Sequence, residues 1–354
     1  MNTYTRDELV TLLSSQGNDY EELRQRALEV KKSEIGNKIF LRGLIEYSNY
    51  CHKNCFYCGI RRDNKNVSRY QLTDDEVYRC ADLAMELGYG SLAIQSGERS
   101  DAEFTNKIAE LVFQIKKRSN NALGITLSCG EQSEEVYKQW FEAGAHRYLL
   151  RIETSNKDLY YKIHPQNQAH DFETRINALR SLIKVGYQTG TGVMIGLPFQ
   201  TMEHLANDLL FFKNLNVAMV GMGPFIAHQD TPLWQYHTLI PDAETRVQLT
   251  LKMISALRLL MPKINIVAST ANQTLFENGR EQAVLAGANI IMPNLTAEQY
   301  REKYFIYPDK TNVGDSPIKY NFCLFDKMKS INHEIIYNKW GDSRAFTENI
   351  TCSE

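Results

Sequence analysis

The chain has 354 residues, 43% of them hydrophobic, and 40 Lys and Arg against 42 Asp and Glu leave a formal net charge of -2. That length can bury one large core and falls within the range of a single (β/α) barrel. The near-neutral balance argues against nucleic acid or an anionic membrane as partner, and no apolar run reaches the roughly 18 residues that a membrane span needs.

The opening stretch, MNTYTRDELVTLLSSQGNDYEELRQRALEVKK, is charged and helix-periodic. It lacks the apolar core of a signal peptide, so the expected location is the cytoplasm. Residues 6–33 read as one or two amphipathic helices with Leu9, Leu12 and Leu13 on one face. Strand and helix then alternate with a period of about 30 residues. Apolar strand segments lie at 43–48, 91–96, 123–128, 147–152, 189–197, 217–224, 264–268 and 288–292, and helix-period stretches include 74–87, 133–142, 202–215 and 242–260. Gly88, Gly144, Gly186 and Gly287 stand where helices should stop. Eight such units predict a (β/α)8 TIM barrel rather than an open, doubly wound sheet, because polar residues gather at the strands' C-terminal ends, where barrel active sites are built. The expected organisation is an N-terminal helical extension (1–35), a barrel (36–292) and a C-terminal tail (293–354) packed on it, which is rich in Tyr, Asn, Lys and Asp.

Seven cysteines, Cys51, Cys55, Cys58, Cys80, Cys129, Cys323 and Cys352, make an odd set in a long chain. A disulfide framework is not expected, which leaves metal ligation or buried thiols. Cys80 falls mid-helix and reads as core. Cys51, Cys55 and Cys58 form a C-x3-C-x2-C loop directly after the first strand. Soft thiolates on one short segment favour an iron–sulfur cluster or zinc. Structural zinc takes four closed ligands, so three suit a site that keeps one metal position open for chemistry. A zinc-stabilised loop with His52 as distant fourth ligand is the alternative.

Later strands supply further candidates. Gln95-Ser96-Gly97-Glu98 ends the second strand, where a glycine lets the backbone approach a ligand. Thr126 lies near the end of the third. Arg147, Arg151 and Glu153 alternate along the fourth and share one face, and charges inside a barrel are costly unless paired or used. Arg175 follows on a helix, and a guanidinium suits a carboxylate. The fifth strand, containing Thr191-Gly192-Val193-Met194-Ile195-Gly196, lacks the helix-opening pattern of a dinucleotide fold. Ser269, Thr270, Met292, Tyr304 and Tyr307 would rim the top of the barrel.

The triplet, with an aromatic Tyr57 before its last cysteine, resembles the signature of the radical S-adenosylmethionine (SAM) superfamily. The strings EYSNYCHKNCFYCGIRRDNKNVSRYQLT, IQSGERSD, GAHRYLLRIETSN, VGMGPFIAHQDTPL, IVASTAN and GANIIMPNLTAEQYREKY resemble the HydE family of [FeFe]-hydrogenase maturases over roughly residues 10–345. The resemblance implies one [4Fe–4S] cluster on Cys51, Cys55 and Cys58, with SAM on the open iron and reductive cleavage to a 5′-deoxyadenosyl radical. It implies SAM contacts from Tyr57, Gln95, Gly97, Glu153, Arg175, Met194 and Tyr304. It implies a substrate pocket from Thr126, Arg147, Ser269, Thr270 and Met292. The implied partners are a small molecule such as an iron-bound cysteine complex, a ferredoxin- or flavodoxin-like electron donor, and other hydrogenase maturases. Methylornithine synthase, of the same biotin synthase-like group, shares much of the pattern and stays open as the alternative. Some HydE proteins hold a second cluster on three tail cysteines. Here Asn312, Tyr320 and Cys323 stand at those positions, and one thiol cannot hold a cluster, so none is expected there.

Overall fold

A computed structural model describes residues 4–308 and 317–351. Eight parallel strands form the barrel: β1 Lys38–Ser48, β2 Ser91–Ser96, β3 Gly124–Ser128, β4 Ala145–Leu149, β5 Gln188–Thr191, β6 Met219–Val220, β7 Asn265–Ile266 and β8 Ile290–Ile291. From β1 to β7 each pairs with the next, β8 pairs with β1 through Phe40↔Ile290 and Leu41↔Ile291, and a single bridge, Val267↔Ile290, joins the β7 end to β8. The ring closes where the Asn289 amide donates to the Ile266 carbonyl and the Ala268 amide to the Ile290 carbonyl, both at 2.9 Å. The closed barrel is therefore the architecture, not the open sheet.

Strands buried on both faces explain the near-continuous apolar runs in the sequence. Two of those runs break in the middle. A Cβ on Gly192 would lie 1.8 Å from the Gly221 carbonyl oxygen, so β5 and β6 touch there through bare backbone. Beyond that contact a second short ladder, Met194↔Gly223 and Ile195↔Pro224, carries both chains up to the barrel mouth.

Helices fill the intervals with their apolar faces inward. The helix Asp74–Glu86 begins at a capping box between Thr73 and Glu76 and buries Val77, Cys80, Ala81 and Ala84. The helix Phe172–Val185 stops at Gly186, whose φ of +107° suits a glycine. The N-terminal stretch forms two helices, Arg6–Ser14 and Gly17–Glu34, and both lie against the helix Ala243–Leu260. Leu9 and Leu13 are fully buried, while Leu12 is half-buried.

The tail holds more structure than its weak periodicity suggests: a helix Pro317–Ser330, a strand Glu334–Ile336 and a helix Arg344–Thr351. The strand pairs in parallel with Lys38–Phe40, which is why β1 starts five residues before its apolar run. The segment after it crosses the N-terminal end of the barrel. Its Trp340 carbonyl accepts from Ser91 and Arg147, its Gly341 carbonyl accepts from Arg42 and Asn265, and its Ser343 amide donates to Gln188. Residues 340–343 thus bond to β1, β2, β4, β5 and β7 and form a floor.

Candidate active site

The strands' C-terminal ends enclose a cavity of about 360 Å³, within the range of small-molecule sites. Its floor is apolar, made by Leu44, Leu149, Val267 and Met292. Its rim includes the cysteine loop on one side and Tyr304, Ile306 and Tyr307 of the tail on the other.

The loop 51–58 follows β1 and is fixed by neighbours rather than by internal pairing. The Phe56 amide donates to the Ile163 carbonyl at 3.0 Å, and the His52 amide to the Glu98 carbonyl at 2.8 Å. The Asn54 amide donates to His170 Nε2 at 2.8 Å. Gly97 donates to the Ser48 carbonyl at 2.7 Å, and a Cβ on it would lie 2.3 Å from the Tyr50 carbonyl oxygen. The glycine thus serves the close approach of β2 to the cysteine loop itself. Cys51, Cys55 and Cys58 all face the cavity. Among the described residues no three His, Cys, Asp or Glu side chains are placed to hold a single metal ion. Burial pushes all three thiols up, Cys55 to about 12, and outweighs the opposing pull of Arg175 on Cys55 and of Arg69 on Cys51. A half-buried triad of this kind, open to the cavity, fits a cationic cluster, which would deprotonate the thiols as it bound.

Beside the triad sits a buried quartet of two cations and two anions. Lys53 Nζ lies 3.0 Å from Glu98 and 2.6 Å from Glu131, and Arg175 lies 2.5 Å from Glu131 and 3.6 Å from Glu98. Burial raises the Glu98 carboxyl, whereas for Glu131 the nearby Arg175 and Lys53 outweigh burial and hold it down. Lys53 and Glu131 have no strand periodicity to betray them. The position of Lys53, between two candidate ligands, was the one clue to it.

Across the cavity, Arg151 and Glu153 form a bidentate pair with both contacts at 2.9 Å. Glu153 has a φ of +65°, a left-handed conformation that costs a non-glycine residue about 1–2 kcal/mol. Its amide donates to Gly192 and its carbonyl accepts from Met194, so both flanking peptides are held. Tyr57 donates to His164 Nε2 at 3.2 Å, its ring edge-on to the imidazole. His164 Nδ1 faces the Tyr160 carbonyl at 3.0 Å, an acceptor, so Nδ1 carries the proton and Nε2 accepts. Burial holds that imidazole well below its usual pKa and therefore neutral. His164 and His170 were not singled out from sequence, because a lone histidine gives no signal there.

Gln95, Met194, Ser269, Thr270, Met292 and Tyr304 all border the same cavity. Two predicted substrate residues do not. Arg147 and Thr126 sit in an inner layer below the apolar floor, where Arg147 Nε donates to Thr126 Oγ1 at 3.1 Å and Nη1 meets Asp342 at 2.7 Å. The expectation is corrected by register: Arg147 pairs with Thr126 and Gln188, at the start of the strands, and Leu149 lies between that level and Arg151. Of the tail positions, Cys323 is exposed, the Tyr320 hydroxyl accepts from Arg280, and Asn312 lies outside the described residues. Cys80 and Cys129 are buried.

Residues 45–212 match the radical SAM superfamily. The [FeFe] hydrogenase maturase subunit HydE of Thermotoga maritima is 41% identical over 352 residues, which is 98% of this chain and 96% of that protein. The chain belongs to the HydE family of radical SAM enzymes. The 3-methylornithine synthase of Methanosarcina barkeri is more distant, 28% identical over 317 residues, 89% of this chain and 86% of its own. The crystal structure of a methylornithine synthase superposes with a TM-score of 0.81 at 26% identity, covering 95% of each chain. As a radical SAM enzyme, the HydE-family chain works with a [4Fe–4S] cluster and SAM. Among the described residues no helix is long and apolar enough to cross a membrane.

Proposed function

We propose that this enzyme is a HydE-type maturase that acts on a small molecule during assembly of the diiron subsite of an [FeFe] hydrogenase. The observation that carries this reading is the 41% identity over nearly the whole of both chains. Cys51, Cys55 and Cys58 hold the cluster. When bound, the cluster and SAM supply a carbon-centred radical that abstracts hydrogen. The protein's part is placement. Tyr57, held by His164, and Gln95, Gly97, Glu153, Arg175, Met194 and Tyr304 bind and orient SAM, while Ser269, Thr270 and Met292 face the substrate. Arg175 already lies against two carboxylates, so a ligand carboxylate competes for it with Glu131 and Glu98. The apolar floor and the tyrosine rim exclude water from the space between.

The substrate class is an iron-bound cysteine complex, delivered by another maturase. A ferredoxin- or flavodoxin-like carrier supplies the electron, and the enzyme works in the cytoplasm. The parts are an N-terminal extension (1–35), the barrel (36–292) and a tail (293–354), and the tail holds no second cluster.

A second reading, methylornithine synthase, is favoured by the structural superposition over 95% of both chains. Anaerobic reconstitution followed by SAM and dithionite should release 5′-deoxyadenosine, and the gene should restore hydrogenase activity to a host lacking its own HydE. Failure of the first sinks the enzyme reading. Formation of methylornithine from lysine, with no rescue of hydrogenase, replaces the maturase reading with the second one.

A further inference from the structure

A buried carboxylate outside the cavity is bonded to the turn that follows one of its walls. Asp208 lies on the helix Met202–Asn214 and is fully buried. Its Oδ1 accepts from both the Ser155 amide and the Ser155 hydroxyl, each at 2.6 Å. Its Oδ2 is buried with no hydrogen-bond partner. The charged group acting on it is Glu153, of like sign, and burial pushes the Asp208 carboxyl up to about 7. A buried carboxyl without a cation is unfavourable for the folded state, so packing alone does not explain an acid there.

What Asp208 does reach is the turn that aims Glu153. Ser155 is two residues past Glu153, whose left-handed φ of +65° turns the chain out of the strand. After the turn, the Asn156 amide donates to Thr154 Oγ1, and Asn156 Oδ1 caps the helix Lys157–Ile163 by accepting from the Leu159 amide. On the strand side, the Glu153 amide and carbonyl are tied to Gly192 and Met194. The turn is thus anchored to the short ladder before the bend, and after the bend to Asp208. Two bonds to one buried oxygen fix both the backbone and the side chain of Ser155, which suits a segment that must hold an unfavourable backbone angle.

We infer that Asp208 is a positioning residue: by clamping Ser155 it holds Glu153 in its left-handed conformation, with the carboxylate facing the SAM cavity. The inference rests on the reading of Glu153 as a SAM contact.

The test compares Asp208→Asn, which keeps an acceptor for Ser155, with Asp208→Leu, which keeps the branched shape and removes it. Four quantities are read on the reconstituted protein: iron content, protection of the Ser155 amide against hydrogen exchange, the SAM-induced change in the cluster's electron paramagnetic resonance spectrum, and KM and kcat for SAM. In Asp208→Leu iron content should stay at the wild-type level, the Ser155 amide should lose protection, and the SAM concentration needed to shift the spectrum should rise about tenfold or more, the scale of a small misplacement of a binding group. KM for SAM should rise with it while kcat changes less. Asp208→Asn should restore both protection and affinity.

Wild-type SAM affinity in Asp208→Leu overturns the inference. So does an Asp208→Asn variant as defective as Asp208→Leu, because charge rather than the clamp would then be what matters. Ser155→Ala removes one of the two donors without disturbing the buried acid, and it reads the same effect in smaller size if Asp208→Leu does not fold. Unchanged affinity in Ser155→Ala together with an unfolded Asp208→Leu also overturns it. Glu153→Gln separates the two levels. If that variant binds SAM normally, the reading of Glu153 fails, and loss of Ser155 protection in Asp208→Leu then reports the clamp alone.

Discussion

The two ends of this barrel carry the same kinds of residue and use them in opposite ways. Arg151 at the mouth and Arg147 near the floor lie on one strand segment, four residues apart, with side chains on the same side. Arg151 faces the open cavity and pairs with Glu153, which itself faces that cavity. Arg147 is closed off by the tail and shared among Asp342, Thr126, Ser91 and the Trp340 carbonyl. Both arginines are paired, so pairing does not distinguish a site from a scaffold. What distinguishes them is whether the partner also borders empty space.

Changes at the two ends should therefore fail differently. The largest effect belongs to the mouth. Cys55→Ala should abolish cluster binding and SAM cleavage while leaving the far-ultraviolet circular dichroism spectrum unchanged. Iron retained at the wild-type level would remove Cys55 from the ligand set. The floor should respond in stability instead. Asp342→Ala strips Arg147 of its carboxylate partner and should cost about 3 kcal/mol in urea unfolding, with SAM affinity unchanged. A loss of affinity with no loss of stability would move Arg147 back into the functional set.

A pH effect comes next. Burial lowers the His146 pKa from its usual 6.5 to about 4, and the groups acting on it are Asp342, Arg147 and Arg42. Because the folded-state value is depressed, the unfolded chain takes up this proton first. Stability from this group is therefore full above pH 6.5 and is lost as pH falls toward 4, by up to about 3 kcal/mol. Urea midpoints at pH 7 and pH 5 measure it, and His146→Phe should flatten the difference. The smallest effect is at the tail. Cys323→Ala should change neither iron content nor SAM cleavage, since this thiol is exposed. Loss of iron would contradict the single-cluster reading.

The mouth was more legible in the sequence than the floor. The cysteine triplet, the eight apolar runs and the helix-ending glycines are local patterns, and each maps onto a local structure. Cavity-lining residues at strand ends, such as Gln95, Ser269 and Met292, follow once the barrel is recognised. Arg147 and Thr126 were misplaced because alternation tells which side of a strand a residue faces, not how high along the barrel it sits. Lys53, Glu131, His164, His170 and Asp208 escaped notice because their partners lie on other elements, between 53 and 116 residues away in the case of Asp208 and His170. The floor escaped for a related reason. Its bonds run from tail carbonyls and from strand side chains, and neither leaves a periodic trace.

The floor also sets an order of events during synthesis. Arg42 on the first strand is bonded to Gly341, 299 positions later. A ribosome has therefore released all eight strands before the residues that seal the barrel emerge. Until then Arg42 and Arg147 have water where the tail will be. Loop-closure entropy makes such distant contacts slow to form. The cysteine loop, by contrast, is complete within the first sixth of the chain. Vectorial synthesis thus separates the appearance of the cluster ligands from the sealing of the chamber beneath them, and a chain stopped before Trp340 would keep every cysteine of the triplet while leaving the barrel open at its base.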